Sequence, residues 1–179
     1  MEAKIVFTGP PNAGKTTAIA SLSDDAPVVT DVSNHDAGLA KARTTVGMDY
    51  GVVSLGENEQ VRLFGTPGQK RFDFMWQILV RNAIGIVILL DNSQPEALAQ
   101  LDEFLQALND PLRTTSCVVG VGRLEAHPEP GIDDYADHLA ARGLCFPVIP
   151  VDVRRRDDVL MLVELLLSQT EARQVLETQ

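Results

Sequence analysis

The sequence predicts a three-layer α/β domain, in which helices cover both faces of a mostly parallel β-sheet with one antiparallel edge strand. Three features favour this class. Apolar runs of strand length recur along the chain, amphipathic segments of helix length separate them in the second half, and a hairpin-like pair of strands lies in the first half. Strands that are apolar throughout are typical of parallel sheets buried between helices. We expect the 179 residues to form a single domain, 1–179.

In the first half, short apolar runs define the strands, and glycine or proline marks their ends. Residues 4–8, KIVFT, form a short run with an apolar centre and β-branched residues, which predicts a buried strand before a Gly- and Pro-rich loop. Residues 26–45 show no clean periodicity, so we predict a long connection there. The other elements predicted for this half are a helix at 15–22, hairpin strands at 49–55 and 60–64, and a helix that ends at about residue 82.

The second half alternates strands with helices. Residues 84–90, IGIVILL, are apolar throughout and predict a fully buried strand. Pro95 suits the first turn of the helix that follows, because a first-turn N–H has no partner within a helix. In order, the predicted elements are a strand at 84–90, a helix at 95–108, a strand at 116–121, a helix at 133–141, a strand at 145–149 and a helix at 157–176.

Composition and charge exclude several classes of partner. Acidic residues outnumber basic ones 25 to 15, for a formal net charge of −10, whereas nucleic-acid-binding domains are usually basic. We therefore expect no nucleic-acid partner. No apolar run approaches the roughly 20 residues that span a bilayer, and residues 1–4 match neither a secretory signal nor a myristoylation site. We expect a cytoplasmic protein without a membrane anchor, whose cysteines at 117 and 145 are free core thiols.

Residues 9–16, GPPNAGKT, match the pattern G-x-x-x-x-G-K-[ST] between a predicted strand and a predicted helix. In this motif the glycines let backbone N–H groups surround phosphate oxygens, the lysine contacts the outer phosphates, and the threonine hydroxyl binds Mg²⁺. Pro10 and Pro11 have no N–H, so the phosphate donors begin after them. The residues expected to bind phosphate are Asn12, Ala13, Gly14, Lys15, Thr16 and Thr17. The sequence therefore predicts a site for a nucleoside polyphosphate.

Two later segments, TTVGMDYG at 44–51 and GTPGQKRF at 65–72, resemble the two switch regions of small Ras-like GTPases. The GTPGQ form is most similar to that of bacterial small GTPases, including the MglA-like polarity switches and the GTPases encoded in conservon clusters. The phosphate loop alone is shared with many ATPases and kinases, and its spacing to TPGQ distinguishes the GTPases. The resemblance covers nearly the whole chain and implies a Ras-like P-loop NTPase fold that binds GTP or GDP with Mg²⁺.

The resemblance also implies roles for individual residues. Lys15 would neutralise the β- and γ-phosphates, Thr16 would bind Mg²⁺, and Thr45 would reach Mg²⁺ only when a γ-phosphate is present. Gly68 would donate its N–H to the γ-phosphate, and Gln69 would orient the attacking water.

An arginine of the same chain completes the transition state in MglA-like enzymes. By this resemblance Arg43, just before the switch threonines, is a catalytic candidate, with Arg71 as a second one. A solvated arginine on a flexible loop is an equally good interpretation of either residue.

The chain departs from the family pattern at three places. Gly65 stands where D-x-x-G has an acid that supports Mg²⁺, and Gly122 begins GRLE where N-K-x-D should recognise the base. Glu125 can accept the two guanine protons that adenine does not offer, and Arg123 can lie over the ring. At the third place, residues 151–154 read VDVR where the family has an S-A-K-like motif, and the N–H of Val153 can still meet the guanine O6. The sequence therefore favours guanine without securing it.

The resemblance implies a slowly hydrolysing, GTP-driven switch that signals to a protein partner at its switch surface, with a Roadblock/LC7-type regulator as one candidate. Two alternatives stay open, namely a degenerate nucleotide-binding scaffold with little turnover and, less favoured, a P-loop ATPase or small-molecule kinase. The aromatic residues after the second switch are either an exposed partner site or ordinary packing. They are Phe72, Phe74 and Trp76, and the apolar Met75 between the last two has the same two interpretations.

Overall fold

The computed structural model describes residues 2–26, 28–33, 45–56 and 59–177. Within them, seven strands form one sheet in the order β2-β3-β4-β1-β5-β6-β7. The strands are β1 (Glu2–Thr8), β2 (Val28–Ser33), β3 (Thr45–Gly56), β4 (Glu59–Gly65), β5 (Gly85–Asp91), β6 (Ser116–Gly122) and β7 (Val148–Pro150). The helices are α1 (Lys15–Leu22), α2 (Asp73–Leu79), α3 (Ala97–Ala107), α4 (Asn109–Thr114), α5 (Ile132–Ala140) and α6 (Arg156–Glu177), and a 3₁₀ turn (Lys70–Phe72) precedes α2.

The sheet confirms the predicted class and adds one strand to it. Strands β4, β1, β5, β6 and β7 are mutually parallel, and β3 is antiparallel to both of its neighbours. The antiparallel strand is not the edge, however, because β2 pairs along its outer side. This outer strand lies in the stretch 26–45 that we predicted to be a connection. Its sequence, VVTDVS, has the β-branched residues of a strand but mixes them with Asp and Ser, so it forms no apolar run.

Side chains alternate along β5 and so divide the interior into two cores. Ile86, Ile88 and Leu90 belong to the core under α2, α3 and α5, whereas Val87 and Leu89 belong to the core under α1 and α6. Every residue of β5 is buried, as expected of a central strand covered on both faces. In a sheet of this kind, ligands bind at the edge formed by the carboxyl ends of the parallel strands.

Two local details differ from the sequence-based expectation. A short helix, α4, follows α3 where none was predicted, and Pro111 lies in its first turn. Both cysteines are free, but Cys145 is exposed while Cys117 is buried. The expectation of a core thiol is wrong for Cys145 because β7 begins only at Val148. None of the helices in the described ranges combines the length and the apolar composition that a membrane span requires.

Candidate functional site: a nucleotide cavity at the sheet edge

An open cavity of about 1100 Å³ lies beyond the carboxyl ends of β1, β5, β6 and β7. Three segments supply most of its wall, the phosphate loop and the start of α1 at 12–17, the loop after β6 at 121–127, and the loop after β7 at 149–155. A cavity at this edge of a parallel sheet is the expected position of a ligand site. It brings together the predicted phosphate-binding residues and the predicted base-binding residues Arg123, Glu125 and Val153.

The phosphate loop has the curled backbone that the motif requires. Asn12 and Gly14 have positive φ angles of 64° and 92°, and the N–H of Ala13 donates to the carbonyl of Pro10 at 3.3 Å. A side chain at position 14 would also meet Val153, whose Cγ2 atom would lie 2.7 Å from an added Cβ. Glycine at 14 therefore satisfies the backbone conformation and lets the phosphate loop approach the loop after β7.

Lys15 is buried beneath the phosphate loop. Its Nζ donates to the carbonyls of Gly9 at 2.8 Å and Pro10 at 2.7 Å, which holds the ammonium group against the loop. Burial lowers the pKa of Lys15 to about 8, and the negative charge of Asp49 opposes this shift. Additional negative charge near this buried ammonium group, such as that of a bound phosphate, would therefore stabilise it strongly.

Thr16 is held by an acid that the sequence analysis did not identify. The Thr16 hydroxyl donates to Asp49 Oδ2 at 2.6 Å, across from α1 to β3. Asp49 is 6% exposed and pairs directly with Gly65 on the neighbouring strand. An added Cβ at position 65 would lie 2.9 Å from Asp49 Oδ2 and 3.0 Å from Ile19 on α1. The side chain of Asp49 thus fills the space that opens because position 65 is glycine.

A second glycine lets α1 lie close to the sheet. An added Cβ at Gly51, two residues along β3 from Asp49, would lie 1.9 Å from the Ser23 hydroxyl and 2.8 Å from Ile19. Glycines at 51 and 65 on adjacent strands indicate that a helix packs closely against the sheet at this point. Asp49 lies on the same face of β3 as Gly51. That pattern is the sequence signal that would have pointed to the acid.

The start of the second switch is fixed by three hydrogen bonds. The Thr66 N–H donates to the carbonyl of Phe7 at 2.9 Å, and the Thr66 hydroxyl bonds to that of Thr8 at 2.8 Å. Trp76, which is buried and stacks on Phe104 at 4.2 Å between centroids, donates its Nε1–H to the carbonyl of Pro67 at 2.6 Å. Trp76 is therefore a packing residue and not an exposed partner site.

Gly68 lies directly against the phosphate loop. An added Cβ there would lie 2.5 Å from the backbone N of Pro11 and 2.9 Å from Lys15 Nζ, so the approach requires glycine. Gln69 follows as an exposed residue, and its carbonyl accepts the N–H of Phe72 at 2.9 Å in the 3₁₀ turn.

The remaining predicted switch residues are less fully described. Thr45 begins β3, but its side chain lies outside the described part of the structure, as does the whole of Arg43. The guanidinium of Arg71 lies over the Phe72 ring at 4.9 Å from its centroid. The assignments of Thr45 and Arg43 accordingly stay predictions.

On the base side of the cavity, the guanidinium of Arg123 is held by two hydrogen bonds. Its Nη1 bonds to the buried carboxylate of Asp91 and, at 3.1 Å, to the Ser93 hydroxyl. Burial alone would raise the pKa of Asp91, but hydrogen bonds from Ser93 and the charge of Arg123 outweigh it and lower that pKa. Glu125 is exposed in the same loop and lines the cavity.

The loop after β7 leaves one amide available. The N–H of Asp152 donates to the Asp158 carboxylate at 2.9 Å, and the N–H of Arg154 donates to the Asp152 carboxylate at 3.1 Å. Between them, the N–H of Val153 has no acceptor among the described residues. Val153 thus offers a free donor at the cavity wall, where the sequence analysis placed a contact with guanine O6.

The fold and the phosphate loop together define a P-loop nucleotide-binding protein. The family model described as 50S ribosome-binding GTPase matches residues 4–121, which include the phosphate loop and both switch segments. The chain is 21% identical over 175 residues to Ras-related protein RabC of Dictyostelium discoideum, covering 94% of this chain and 84% of that protein. The chain belongs to this GTPase family and is a Ras-like small GTPase, a class whose members bind GTP and GDP and generally hydrolyse GTP.

Other similar proteins differ in how much of their length is matched. An uncharacterized protein of Methanocaldococcus jannaschii is 33% identical over 93 residues, which are 52% of this chain and 53% of that protein. Ras-related protein Rab-44 of Mus musculus is 29% identical over 109 residues, or 59% of this chain and 10% of Rab-44. The structure of the Arl6 BBS3 small GTPase from Trypanosoma brucei with bound GppNp superposes with a TM-score of 0.70 at 16% identity, covering 96% of this chain and 99% of that one. The last comparison shows the fold.

Proposed function

We propose that the protein is a GTP-driven molecular switch that hydrolyses GTP slowly and signals through its two switch segments. The strongest support is that residues of both switch segments lie against the phosphate loop or the start of α1. Asp49, just after the first switch threonines, bonds to Thr16, and Gly68 of the second switch lies against Pro11 and Lys15. A γ-phosphate bound at Lys15 would therefore lie close to elements of both switches.

The chemistry of the donor set fits Mg²⁺. Hydroxyl and carboxylate oxygens are the ligands that Mg²⁺ prefers, and here Thr16 would bind the ion while Asp49 orients the Thr16 hydroxyl and adds negative charge. Thr45 would be a second ligand in the GTP state. The bound ion would neutralise phosphate charge during hydrolysis. Asp49 would supply the acid that position 65 lacks.

For base recognition we propose a carboxylate and an amide from the loops after β6 and β7, two neighbouring strands. Glu125 would accept the N1 and N2 protons of guanine, and the free N–H of Val153 would donate to O6. Arg123 would lie over the ring with its guanidinium held by Asp91.

Hydrolysis requires closure of the second switch. Gln69 is exposed at the beginning of a short 3₁₀ turn, and no side-chain hydrogen bond fixes that turn's start. We propose that a bound γ-phosphate and a partner together place Gln69, and that Arg43 completes the transition state. The free protein would then hydrolyse GTP slowly, near the roughly 10⁻⁴ s⁻¹ intrinsic rate of Ras.

The partner surface in this proposal is the outer face of α2. Phe74 and Ile78 are 58% and 56% exposed, lie one helical turn apart, and directly follow the second switch. An exposed apolar pair on an element that moves with the switch suits a protein partner that reads the nucleotide state. The GTPGQ sequence supports assignment to the MglA-like or conservon type, and a Roadblock/LC7-type regulator is the partner that we propose.

Nucleotide competition tests the base assignment. We expect wild type to bind GDP more tightly than ADP, and Glu125→Ala to weaken GDP binding by about tenfold while ADP binding stays the same. Glu129→Ala is a matched control, since Glu129 is an exposed acid in the same loop that does not line the cavity. Equal affinities of wild type for GDP and ADP would remove the guanine assignment.

Single-turnover hydrolysis tests the switch mechanism. We expect Gln69→Leu to abolish partner-stimulated turnover and Arg43→Ala to reduce it by orders of magnitude. Measurements with and without a candidate Roadblock protein separate intrinsic from stimulated rates. If Gln69→Leu is as fast as wild type in both settings, the nucleotide is held by a scaffold rather than by a switch.

A further inference from the structure

Two buried polar side chains lie behind the base side of the cavity and have no part in the site described above. Asn92, directly after β5, is 3% exposed, and Tyr135 on α5 is completely buried. The Tyr135 hydroxyl donates to Asn92 Oδ1 at 2.6 Å. Burial, together with the charge of Asp91, raises the pKa of Tyr135 to about 12, so its hydroxyl stays a donor at physiological pH.

Asn92 is bound to the end of β6 by its backbone and at two points, through its side chain, to the loop that contains Glu125. Its backbone N–H donates to the carbonyl of Gly122 at 3.0 Å, and its Nδ2 donates to the carbonyls of His127 at 2.6 Å and Pro130 at 3.0 Å. The Asn92 side chain thereby uses both amide protons on the loop and its oxygen on Tyr135. Neither aspartate nor leucine at position 92 could donate these two hydrogen bonds, because neither side chain has an amide proton.

The loop depends on these hydrogen bonds because it contains no regular secondary structure. Residues 123–131 belong to no helix or strand, and Arg123 adopts a positive φ of 63°. Gly122 has no side chain with which to bind a neighbouring loop. Glu125 lies between the carbonyls of Gly122 and His127, so the position of its backbone depends on both attachment points.

We infer that Asn92 and Tyr135 are positioning residues for guanine recognition, which hold the loop so that Glu125 meets the exocyclic amine of the base. This inference rests on the proposed function, because it assumes that Glu125 contacts the base. Neither residue lines the cavity, so neither would contact the nucleotide. The effect of the two side chains on binding would pass through the carbonyls of His127 and Pro130, which accept the amide protons of Asn92.

The conservative test removes one hydroxyl. The chain has two tyrosines, so Tyr135→Phe can be compared with Tyr50→Phe on β3, where the Tyr50 ring packs against Phe64. GDP and IDP are the probes, since IDP keeps the phosphates and ring but lacks the 2-amino group. Affinities are measured by displacement of a fluorescent nucleotide, and thermal unfolding is recorded for each variant.

We expect wild type to prefer GDP over IDP, Tyr135→Phe to lower that ratio by about fivefold, and Tyr50→Phe to leave it unchanged. Asn92→Ala removes two donors and lowers the ratio further if the variant folds. A wild-type ratio of one would overturn the base assignment, and with it this inference. A wild-type preference that Tyr135→Phe leaves intact, even with a lower melting temperature, would overturn the inference alone, because a purely structural role changes stability and not the ratio.

Discussion

The phosphate side and the base side of the cavity are built in opposite ways. On the phosphate side, buried Lys15 and Thr16 begin α1 directly after the curled loop, and Asp49 on β3 accepts the Thr16 hydroxyl. On the base side, exposed Glu125 lies in an irregular loop that Asn92 holds from behind. From this difference we expect the phosphate side to be preorganised and to contribute most of the affinity. We expect the base side to determine selectivity, through a loop that distant residues hold in place.

The largest expected effect is on the phosphate side. Lys15→Ala should weaken GDP binding by about a thousandfold or more, because a buried ammonium group contributes far more than an exposed one. Lys4→Ala, which removes a partly exposed lysine whose Nζ donates to the carbonyl of Arg81, is the matched control and should bind normally. Calorimetric titration measures both. If folded Lys15→Ala still binds GDP tightly, the base side and not the phosphate side contributes most of the affinity.

A pH series tests the burial of Lys15 in the nucleotide-free protein. The pKa of Lys15 is about 8 when folded, against an ordinary value of 10.5, so between these values the unfolded chain binds more protons. The resulting cost to stability is fully present below pH 8 and disappears as the pH rises toward 10.5. Between pH 8 and pH 10.5 the free energy of unfolding of wild type should therefore rise by up to about 3 kcal/mol relative to that of Lys15→Met. Parallel pH profiles of urea unfolding for the two proteins would contradict the buried, protonated lysine.

The acid of β3 gives a smaller effect that is specific to Mg²⁺. Asp49→Asn should weaken nucleotide binding roughly 10–100-fold in the presence of Mg²⁺, as expected when a residue that orients a metal ligand is lost. In excess chelator the two proteins should bind alike. Asp24→Asn is the control, since Asp24 is an exposed acid that accepts the N–H of Ser54.

Relocating the acid sharpens the same comparison. The paired positions 49 and 65 face the same space, so Asp49→Gly combined with Gly65→Asp should restore much of the Mg²⁺-dependent affinity. If the double variant binds no better than Asp49→Gly alone, the role of Asp49 depends on its strand and not on its charge near Thr16.

The sequence predicted the phosphate side better than the base side for a physical reason. A phosphate cradle is made of consecutive backbone amides, so residues 9–16 are sufficient to define it. Asp49 was missed because its partners, Thr16 and Gly65, are brought to it by strand pairing and helix packing. Asn92 was missed for the same reason, since its three acceptors lie 30 or more residues away in the chain. Local patterns also identified most of the strands and helices, whereas β2 depends on pairing with β3.

The smallest expected effect concerns the link between the second switch and the core. Trp76 is the single tryptophan, and its Nε1–H donates to the carbonyl of Pro67, the residue before Gly68. Trp76→Phe keeps an aromatic ring against Phe104 but removes this donor, so the second switch should be held less firmly when it closes. We expect nucleotide affinity to stay the same and partner-stimulated hydrolysis to fall by about fivefold.

The wild-type protein provides the complementary measurement, because its tryptophan emission comes from this position alone. Exchange of GDP for a non-hydrolysable GTP analogue should change the emission, since the Pro67 carbonyl lies at the start of the segment that we propose closes on the γ-phosphate. Phe74→Leu on the exposed face of α2 is the control variant, which keeps the tryptophan and its hydrogen bond and should show the same change. Identical emission in the two nucleotide states, together with unchanged hydrolysis in Trp76→Phe, would show that closure begins after Pro67 and does not reach the core.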